Sequence, residues 1–281
     1  MRKRIKPLAL LLFFACFILY IVISKHQLDL QNRQAQTKKT QVSQVTTKKK
    51  KETVPTVEPE EELLAKPIVD LSGWQLPSEI DYDTLSENIS GAIIRVHSGA
   101  QAKKENVATH LNGLDKSFAT HIQEFQKRGI PVAVYAYIAA GSIKEMEKEA
   151  ESFYKASSKY KPTFYWLDVE EKTMNDMNAG VEAFRAKLES LGAQNIGIYI
   201  GTYFMEEHSI STEKFTAVWI PTYGYNDGYY NAAPNTEQPY DLHQYTSEGK
   251  LEGFPHNLDL NQLSPVQDKK ETYKKLFSTP E

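Results

Sequence analysis

The apolar residues of this chain follow two different spacings. Continuous apolar runs of strand length occur at 91–96, 131–137, 163–170 and 196–200. Between them, large apolar residues recur every three or four positions, as at Phe118, Ile122 and Phe125, which predicts a helix with one buried face. The same spacing predicts helices over about 142–154 and 181–191. Strands that alternate with helices predict a parallel sheet covered by helices.

The pattern changes after residue 200, where helical spacing becomes rare. Residues 217–220 and 241–246 have strand character, and residues 247–250 indicate a hairpin turn that leads into a strand at 251–254. No Gly-x-Gly-x-x-Gly turn follows the first strand, as it would in a dinucleotide-binding doubly wound sheet. We therefore expect an α/β fold, an irregular β/α (TIM-like) barrel over residues 67–265, with its chemistry at the carboxyl ends of the strands.

The N-terminal region has the features of a membrane anchor. Residues 7–24 contain no charged side chain, and this run of 18 residues reaches the length of a membrane-spanning helix. Four basic residues precede the run and only Lys25 directly follows it, so the N-terminus is expected to stay in the cytoplasm. A cleaved signal peptide is the alternative, but no Ala-x-Ala site is present. We expect a basic tail at 1–6 and an uncleaved transmembrane helix at 7–24. The lipid bilayer is then a partner, and the rest of the chain lies outside the cell, facing the wall.

The segments that flank the predicted barrel are polar. Residues 25–66 contain few large apolar side chains, which predicts a flexible stalk, and residues 266–281 are expected to form a charged C-terminal tail. Residues 1–52 carry 12 basic and 2 acidic side chains, which leaves 21 basic and 34 acidic side chains in the remainder. Such a negative domain argues against nucleic acid as a partner. Because Cys16 is the only cysteine, the exported domain needs a large core rather than disulfides.

Several enzyme classes lack their motifs in this sequence. It contains no His-Glu-x-x-His, no Gly-x-Ser-x-Gly and no Gly-x-x-x-x-Gly-Lys, and its seven histidines lack ligand spacing. We therefore predict no metal site and no cofactor. Carboxylates and aromatic rings remain as the candidate chemistry.

The most informative motif is Asp168-Val169-Glu170, at the end of an apolar run. Alternate residues of a strand point to the same face, so the two carboxylates are expected to lie side by side, where their repulsion raises one pKa. Asp70 and Asp259 also end or follow apolar runs. A solvated strand end is the alternative interpretation of an isolated Asp-x-Glu.

Aromatic residues flank these carboxylates. They are Trp74, Tyr135, Tyr137, Trp166, Trp219, Tyr223 and Tyr245. Sugar hydrolysis needs an acid to protonate the glycosidic oxygen, an anion to balance the positive charge on the sugar, and flat rings that pack against sugar faces. For most of these rings, burial in the core is an equally good interpretation.

Taken in order, these residues resemble glycoside hydrolase family 25, the N-acetylmuramidase lysozymes of bacteria, phages and fungi. Residues Val69 to Gln75 resemble the opening Asp-x-Ser-x-x-Gln strand of that family. Further similar segments follow at 93–96, 167–170, 219–224, 244–247 and 259–261. The resemblance covers about residues 67–265, and the ordered set is more specific than any single motif.

The resemblance implies an irregular barrel that hydrolyses the β-1,4 bond between N-acetylmuramic acid and N-acetylglucosamine, so peptidoglycan glycan strands are the expected partner. It implies Glu170 as the general acid and Asp168 as the residue that orients or charges the substrate's 2-acetamido group or activates water. Asp70 and Asp259 are the implied supporting carboxylates. The expected substrate-binding residues are Arg95, Tyr135, Tyr137, Trp219, Tyr223, Gln244 and Tyr245.

Two positions depart from the family and put substrate fit in doubt. Ala136 stands within Tyr135–Tyr137, where the family often has Tyr-His-Phe, and His243 stands where Trp is usual. Retention, inversion and assistance by the substrate's own acetamido group are all compatible with two acids on one strand face, and the resemblance favours assistance. The alternative function is a non-catalytic peptidoglycan-binding module, or a scaffold in a secretion or conjugation machine of the cell envelope. No particular protein partner is indicated.

Overall fold

Eight strands form a closed barrel in the computed structural model, which describes residues 59–99 and 105–278. The strands are β1 (Ile68–Leu71), β2 (Gly91–His97), β3 (Val132–Tyr137), β4 (Tyr165–Val169), β5 (Ile196–Ile200), β6 (Ala217–Pro221), β7 (Leu242–Gly249) and β8 (Leu258–Leu263). The predicted closed α/β barrel is confirmed. The predicted transmembrane helix and nearly all of the predicted stalk lie outside the described residues. Within the described ranges, no helix has both the length and the apolar character needed to cross a membrane.

The direction of the last strand distinguishes this barrel from a regular one. Strands β1 to β7 are parallel to one another, whereas β8 runs antiparallel to both of its neighbours, β7 and β1. The beginning of β8 therefore lies at the same edge as the carboxyl ends of the other seven strands. Asp259, the second residue of β8, is directly opposite Asp70 in the pairing register. The sequence placed Asp259 after a strand, and the structure places it near the start of one.

Among the described residues, seven α-helices surround the strands. They are α1 (Pro59–Ala65), α2 (Tyr82–Glu87), α3 (Phe118–Lys127), α4 (Ile143–Ser157), α5 (Met177–Ser190), α6 (Thr202–Glu207) and α7 (Lys269–Phe277). Four of them begin at a side chain that accepts a hydrogen bond from a backbone N–H of the first turn, which stabilises an otherwise unpaired helix end. These N-cap residues are Asp81, Ser142, Asp176 and Asp268.

Two apolar clusters hold the barrel together. The larger cluster lies between the outer faces of the strands and the helices, and includes Phe125, Phe153 and Phe184. The smaller one fills the barrel itself with inward-pointing side chains, among which Trp166 and Trp219 are almost fully buried. These rings occupy the interior of the barrel.

The hairpin predicted after β7 forms differently. Strand β7 continues to Gly249, and residues 251–254, predicted as a strand, form a turn before β8. Gly253 has a φ of 97°, and a Cβ atom there would lie 2.5 Å from the backbone nitrogen of Leu85. Its carbonyl oxygen accepts a hydrogen bond from the backbone N–H of Asp81 at 2.8 Å. The turn is thus shaped by its contact with α2, which local sequence cannot reveal.

Both ends of the described region differ from their predicted character. Residues 59–65, which the sequence placed in the stalk, form α1, and the predicted charged tail contains α7. Leu276 and Phe277 of α7 are buried at the end of the barrel opposite the carboxyl edge, and Leu64 of α1 packs against the same cluster. Lys275 Nζ also lies 2.7 Å from Oδ1 of the buried Asp241. Each of these two helices has one apolar face among many charged residues, so its charged composition did not predict burial. The apolar faces are buried against the end of the barrel.

Candidate active site

Four carboxylates meet at the carboxyl edge of the barrel. Asp70 lies on β1, Asp168 near the end of β4, Glu170 directly after β4, and Asp259 near the start of β8. They line a pocket of about 210 Å³. Because alternate residues of a strand share a face, Asp168 and Glu170 both point into this pocket, as the Asp-x-Glu spacing predicted.

The structure brings ten of the eleven predicted site residues together around this pocket. They are the four carboxylates with Arg95, Tyr135, Tyr137, Trp219, Tyr223 and Gln244. Tyr245 does not line it, because it points to the opposite side of β7 from Gln244. There its ring packs near the rings of Tyr230 and His243, at centroid distances of 6.3 and 6.4 Å. Of the other predicted aromatics, Trp166 belongs to the core and Trp74 is exposed.

Asp70 is buried and held by two side-chain amides. Gln244 Nε2 donates to Asp70 Oδ2 at 2.9 Å, and Asn261 Nδ2 donates to the same oxygen at 2.8 Å. Burial raises the pKa of Asp70 well above its usual value, and the nearby charge of Asp259 raises it further, although the two amide hydrogen bonds oppose this shift. Asp70 therefore has a strong tendency to keep its proton.

Asp168 and Glu170 differ sharply in exposure. Asp168 is 7% exposed, and within the described chain its Oδ1 has no hydrogen-bond partner, whereas Glu170 is exposed. Burial raises the pKa of Asp168 well above its usual range, and both the charge of Glu170 and a hydrogen bond with it act in the same direction. Asp168 therefore tends to keep its proton beside Glu170. The raised pKa lies on Asp168, the residue for which the resemblance implied the role of charge partner rather than acid.

Asp259 completes the acidic cluster. Burial, with a contribution from the charge of Glu170, raises the pKa of Asp259 from 3.8 to about 6. The pKa values of three of the four carboxyls are thus raised, mainly because burial disfavours their charged form and also because neighbouring carboxylates repel one another.

Gln244 connects the acidic cluster to two tyrosines. Its Oε1 accepts hydrogen bonds from the hydroxyls of Tyr199 at 2.8 Å and Tyr223 at 2.5 Å. Since Oε1 accepts from both hydroxyls, the amide nitrogen must face Asp70, and the network determines the orientation of the amide. In a second connection, Trp219 Nε1 donates to Asn261 Oδ1 at 2.8 Å.

Sequence reasoning missed Tyr199, which lines the pocket. It lies on β5 in register with Asp168 of β4 and Trp219 of β6. The available signal was strand alternation, because Tyr199 is the last inward-pointing residue of its strand. Asn261 lies within the similar segment at 259–261, but its hydrogen bond to Asp70 depends on the antiparallel direction of β8.

Asp115 is a second missed residue, and it holds Arg95. Its carboxylate is fully buried and accepts hydrogen bonds from the backbone N–H groups of Gly73 at 2.7 Å and Ser117 at 2.9 Å. Arg95 Nε and Nη2 both lie 3.2 Å from Asp115 Oδ2. Asp115 thus positions the guanidinium of Arg95, which lines the acidic pocket, and ties the β1 loop to the β2 loop. No motif in the sequence pointed to this loop aspartate.

The described residues contain no group of three or more histidine, cysteine or acidic side chains that could hold a metal ion. The site instead combines a buried carboxyl whose pKa is raised, an exposed carboxyl on the same face, and aromatic walls. This combination suits acid-assisted cleavage of a glycosidic bond.

Comparison with known proteins agrees with this chemistry. The model of the family described as Glycosyl hydrolases family 25 matches residues 69–254. The chain is 62% identical to a glycosyl hydrolase 25 of Streptococcus pneumoniae, described as a virulence factor that participates in host cell invasion. That match covers 78% of this chain and 96% of the other, with a TM-score of 0.77.

Two further solved structures are similar at lower identity. The catalytic domain of the endolysin ply40 from bacteriophage P40 of Listeria monocytogenes is 25% identical, covers 75% of this chain and 96% of its own, and has a TM-score of 0.64. A family 25 glycosyl hydrolase from Bacillus anthracis shares the fold at 18% identity, with 74% and 92% of the two chains covered and a TM-score of 0.56. No curated protein matches the chain significantly.

Proposed function

Because the chain belongs to the glycosyl hydrolases of family 25, we propose that it is a cell-wall lysozyme that cleaves the β-1,4 bond between N-acetylmuramic acid and N-acetylglucosamine in peptidoglycan. The chain is a glycoside hydrolase. An endolysin catalytic domain among the similar structures supports the cell wall as the location of its substrate. The specific bond and the roles of individual residues are part of the proposal.

The observation that carries the proposal is the contrast between Asp168 and Glu170. A buried carboxyl oxygen without a hydrogen-bond partner costs about 1–3 kcal/mol, so the unpaired Oδ1 of Asp168 favours a ligand that supplies a donor. The N–H of a substrate 2-acetamido group, or a water molecule, is such a donor. Glu170 is exposed on the same strand face, where a glycosidic oxygen has access to it.

In the proposed reaction, Glu170 takes a proton from Asp168 and donates it to the glycosidic oxygen as the bond to the anomeric carbon breaks. Asp168, then ionised, orients the 2-acetamido group or the attacking water and balances the positive charge that develops on the sugar. Asp70 and Asp259 supply two further carboxyls in the pocket, and the pKa of each is raised by burial. Arg95, held by Asp115, stabilises the negative charge that remains on Asp168; its charge already lowers the pKa of that carboxyl.

The test compares Glu170→Gln with a matched control. Both variants are assayed for clearing of purified peptidoglycan and for the reducing ends released, with circular dichroism to verify folding. We expect Glu170→Gln to lose at least a hundredfold in rate, within the range that general acid catalysis contributes. Glu147→Gln, an exposed change on α4, should behave as the parent.

The products distinguish this proposal from its alternatives. Reducing-end muramic acid supports a muramidase, and a 1,6-anhydro end would indicate a lytic transglycosylase instead. If the parent protein binds glycan but releases no ends, the chain is the non-catalytic module, and if Glu170→Gln is fully active, the assignment of the acid is wrong.

The proposal includes a location. Residues 7–24 anchor the protein in the cell membrane with its N-terminus in the cytoplasm, residues 25 to about 58 form a stalk, and the barrel faces the wall. Protease added to intact wall-free cells should remove the barrel and leave a membrane-bound fragment. Recovery of the barrel in the medium, without the first 24 residues, would instead indicate a cleaved signal peptide.

A further inference from the structure

Exposed apolar side chains are concentrated at one end of the barrel. Nine large hydrophobic residues of the described ranges are exposed, and eight of them lie on segments that follow the carboxyl ends of β1, β2, β3, β5 and β6. Only Val266 lies at the opposite end. Single exposed apolar residues are normal on a protein surface, but their concentration around the pocket indicates a contact surface.

Residues 222–241, here called the tyrosine loop, connect β6 to β7 and contribute three of these eight residues. Tyr225 is 88% exposed, Tyr229 76% and Tyr230 46%. Tyr223, the second residue of the loop, lines the pocket, and Tyr225 follows it by two positions.

The tyrosine loop is held firmly against β7 by Asn226. The side-chain oxygen of Asn226 accepts hydrogen bonds from Thr246 Oγ1 and the Ser247 backbone N–H, both at 2.9 Å, and its amide nitrogen donates to Ser247 Oγ at 2.9 Å. The backbone N–H of Tyr225 donates to Asn231 Oδ1 at 2.9 Å.

Tyr230 fastens the other side of the loop, because its ring packs edge-on against the ring of His243 at 5.6 Å. The segment that carries Tyr225 and Tyr229 is therefore already ordered, so binding to these rings costs little conformational entropy.

The pocket is too small to hold a glycan strand by itself. Its volume of about 210 Å³ is below the roughly 300 Å³ at which sites for drug-sized ligands begin. A polysaccharide that is cleaved in this pocket must therefore continue across the rim, where the tyrosine loop lies.

The composition of the tyrosine loop selects among ligands. It contains no lysine or arginine, and it carries the exposed acidic residues Asp227 and Glu237. Anionic polymers and lipid headgroups are therefore disfavoured, whereas tyrosine rings offer flat apolar faces and hydroxyls that suit uncharged sugars.

We propose that Tyr225 and Tyr229 form a platform that binds sugar units of the glycan strand outside the pocket and so makes the enzyme prefer long strands to short ones. The proposal rests on the proposed function for the identity of the strand. The platform contributes to binding rather than to the chemical step.

The test measures binding without cleavage. Soluble glycan strands prepared from amidase-treated peptidoglycan, fractionated at two, four and eight sugars, are titrated against Glu170→Gln with and without Tyr225→Ala and Tyr229→Ala. We expect the double alanine change to weaken binding of the eight-sugar strand by about tenfold, the loss expected for two ring contacts. Binding of the two-sugar fragment should be unchanged.

Two controls make the result specific. Tyr225→Phe with Tyr229→Phe keeps both rings and should retain most of the affinity for long strands, and Val266→Ala changes an exposed residue at the opposite end of the barrel and should have no effect. Equal loss for all strand lengths, or no loss for the eight-sugar strand, would overturn the platform. A change in sedimentation instead of glycan binding would show that the tyrosines contact a second copy of the chain.

These experiments distinguish failure of the proposed catalysis from failure of the proposed tyrosine platform. Length-dependent binding is measured in an inactive background, so it does not depend on turnover. If the parent protein cleaves no peptidoglycan while the binding result holds, the proposed catalysis fails and the platform remains.

Discussion

Replacement of Asp259 by asparagine should stabilise the protein at neutral pH. Burial and the charge of Glu170 raise the pKa of Asp259 in the folded protein to about 6, from 3.8. Below pH 3.8 the carboxyl is protonated in both the folded and the unfolded state, so it costs nothing. Between pH 3.8 and about 6 the carboxyl ionises in the unfolded state but keeps its proton in the folded state, so the folded state loses relative stability, and the full penalty remains above pH 6. Asparagine removes this penalty because it is uncharged at every pH in this range.

The size of the effect follows from the shift. A difference of about two pH units corresponds to about 3 kcal/mol of unfolding free energy above pH 6. Asp259 is partly exposed, so solvent screening reduces this figure, and we expect a gain of about 1–3 kcal/mol at pH 7.5. No hydrogen bond to the Asp259 side chain is found among the described residues, so the substitution sacrifices no such contact.

Thermal and urea unfolding at pH 4 and pH 7.5 test this prediction. For a domain of this size, each kcal/mol raises Tm by roughly 2–4 °C, so the variant should melt measurably higher at pH 7.5 and nearly as the parent does at pH 4. Its activity should fall, since active-site charges are retained at the expense of stability. An equal gain at both pH values, or a loss of stability at pH 7.5, would refute the electrostatic reasoning.

Three further predictions concern the support of the pocket and the barrel. Asp115→Asn should destabilise the fold by about 2–4 kcal/mol in urea and lower kcat/KM at least tenfold, because Arg95 loses its buried ionic partner. Unchanged kinetics would show that Arg95 keeps its position without Asp115. Gly197→Ala should cost about 1–3 kcal/mol, since its Cβ would lie 2.4 Å from the ring of Trp166, and a neutral result in urea would show that the ring can move. Phe277→Ala should lower the free energy of unfolding by about 3–5 kcal/mol and leave activity at low temperature intact, because α7 lies at the end of the barrel opposite the pocket. A loss of activity at temperatures where the variant is still folded would contradict this reasoning.

Most of the parallel strands and the longer helices could be predicted from sequence because their signals are local. The run at 196–200 is β5 in the structure, and the predicted helix start at Ser142 is the N-cap of α4. Such features depend on side-chain spacing and on a hydrogen bond within one turn. The strand predicted at 251–254 is wrong for the opposite reason, because the turn there is shaped by its contact with α2.

The candidate site could be predicted as a set of residues but not as a connected arrangement. The resemblance and the alternation of strands indicated the acids and most of the ring residues. Tyr245 was misplaced because it neighbours Gln244 on β7 and so faces the other side of the sheet. Asp115 was missed because it lies on a loop, and only the fold brings that loop to Arg95.

By itself, the sequence determined that Asp168 and Glu170 share one face, because the two-residue period of a strand requires it. It also indicated which segments form most of the parallel strands that carry the pocket. Only the tertiary structure decided that β8 runs backwards and thereby places Asp259 opposite Asp70, 189 positions earlier in the chain. It also decided which acid of the pair is buried, because burial depends on the neighbouring strands, and this gives Asp168 the raised pKa and leaves Glu170 open to the substrate.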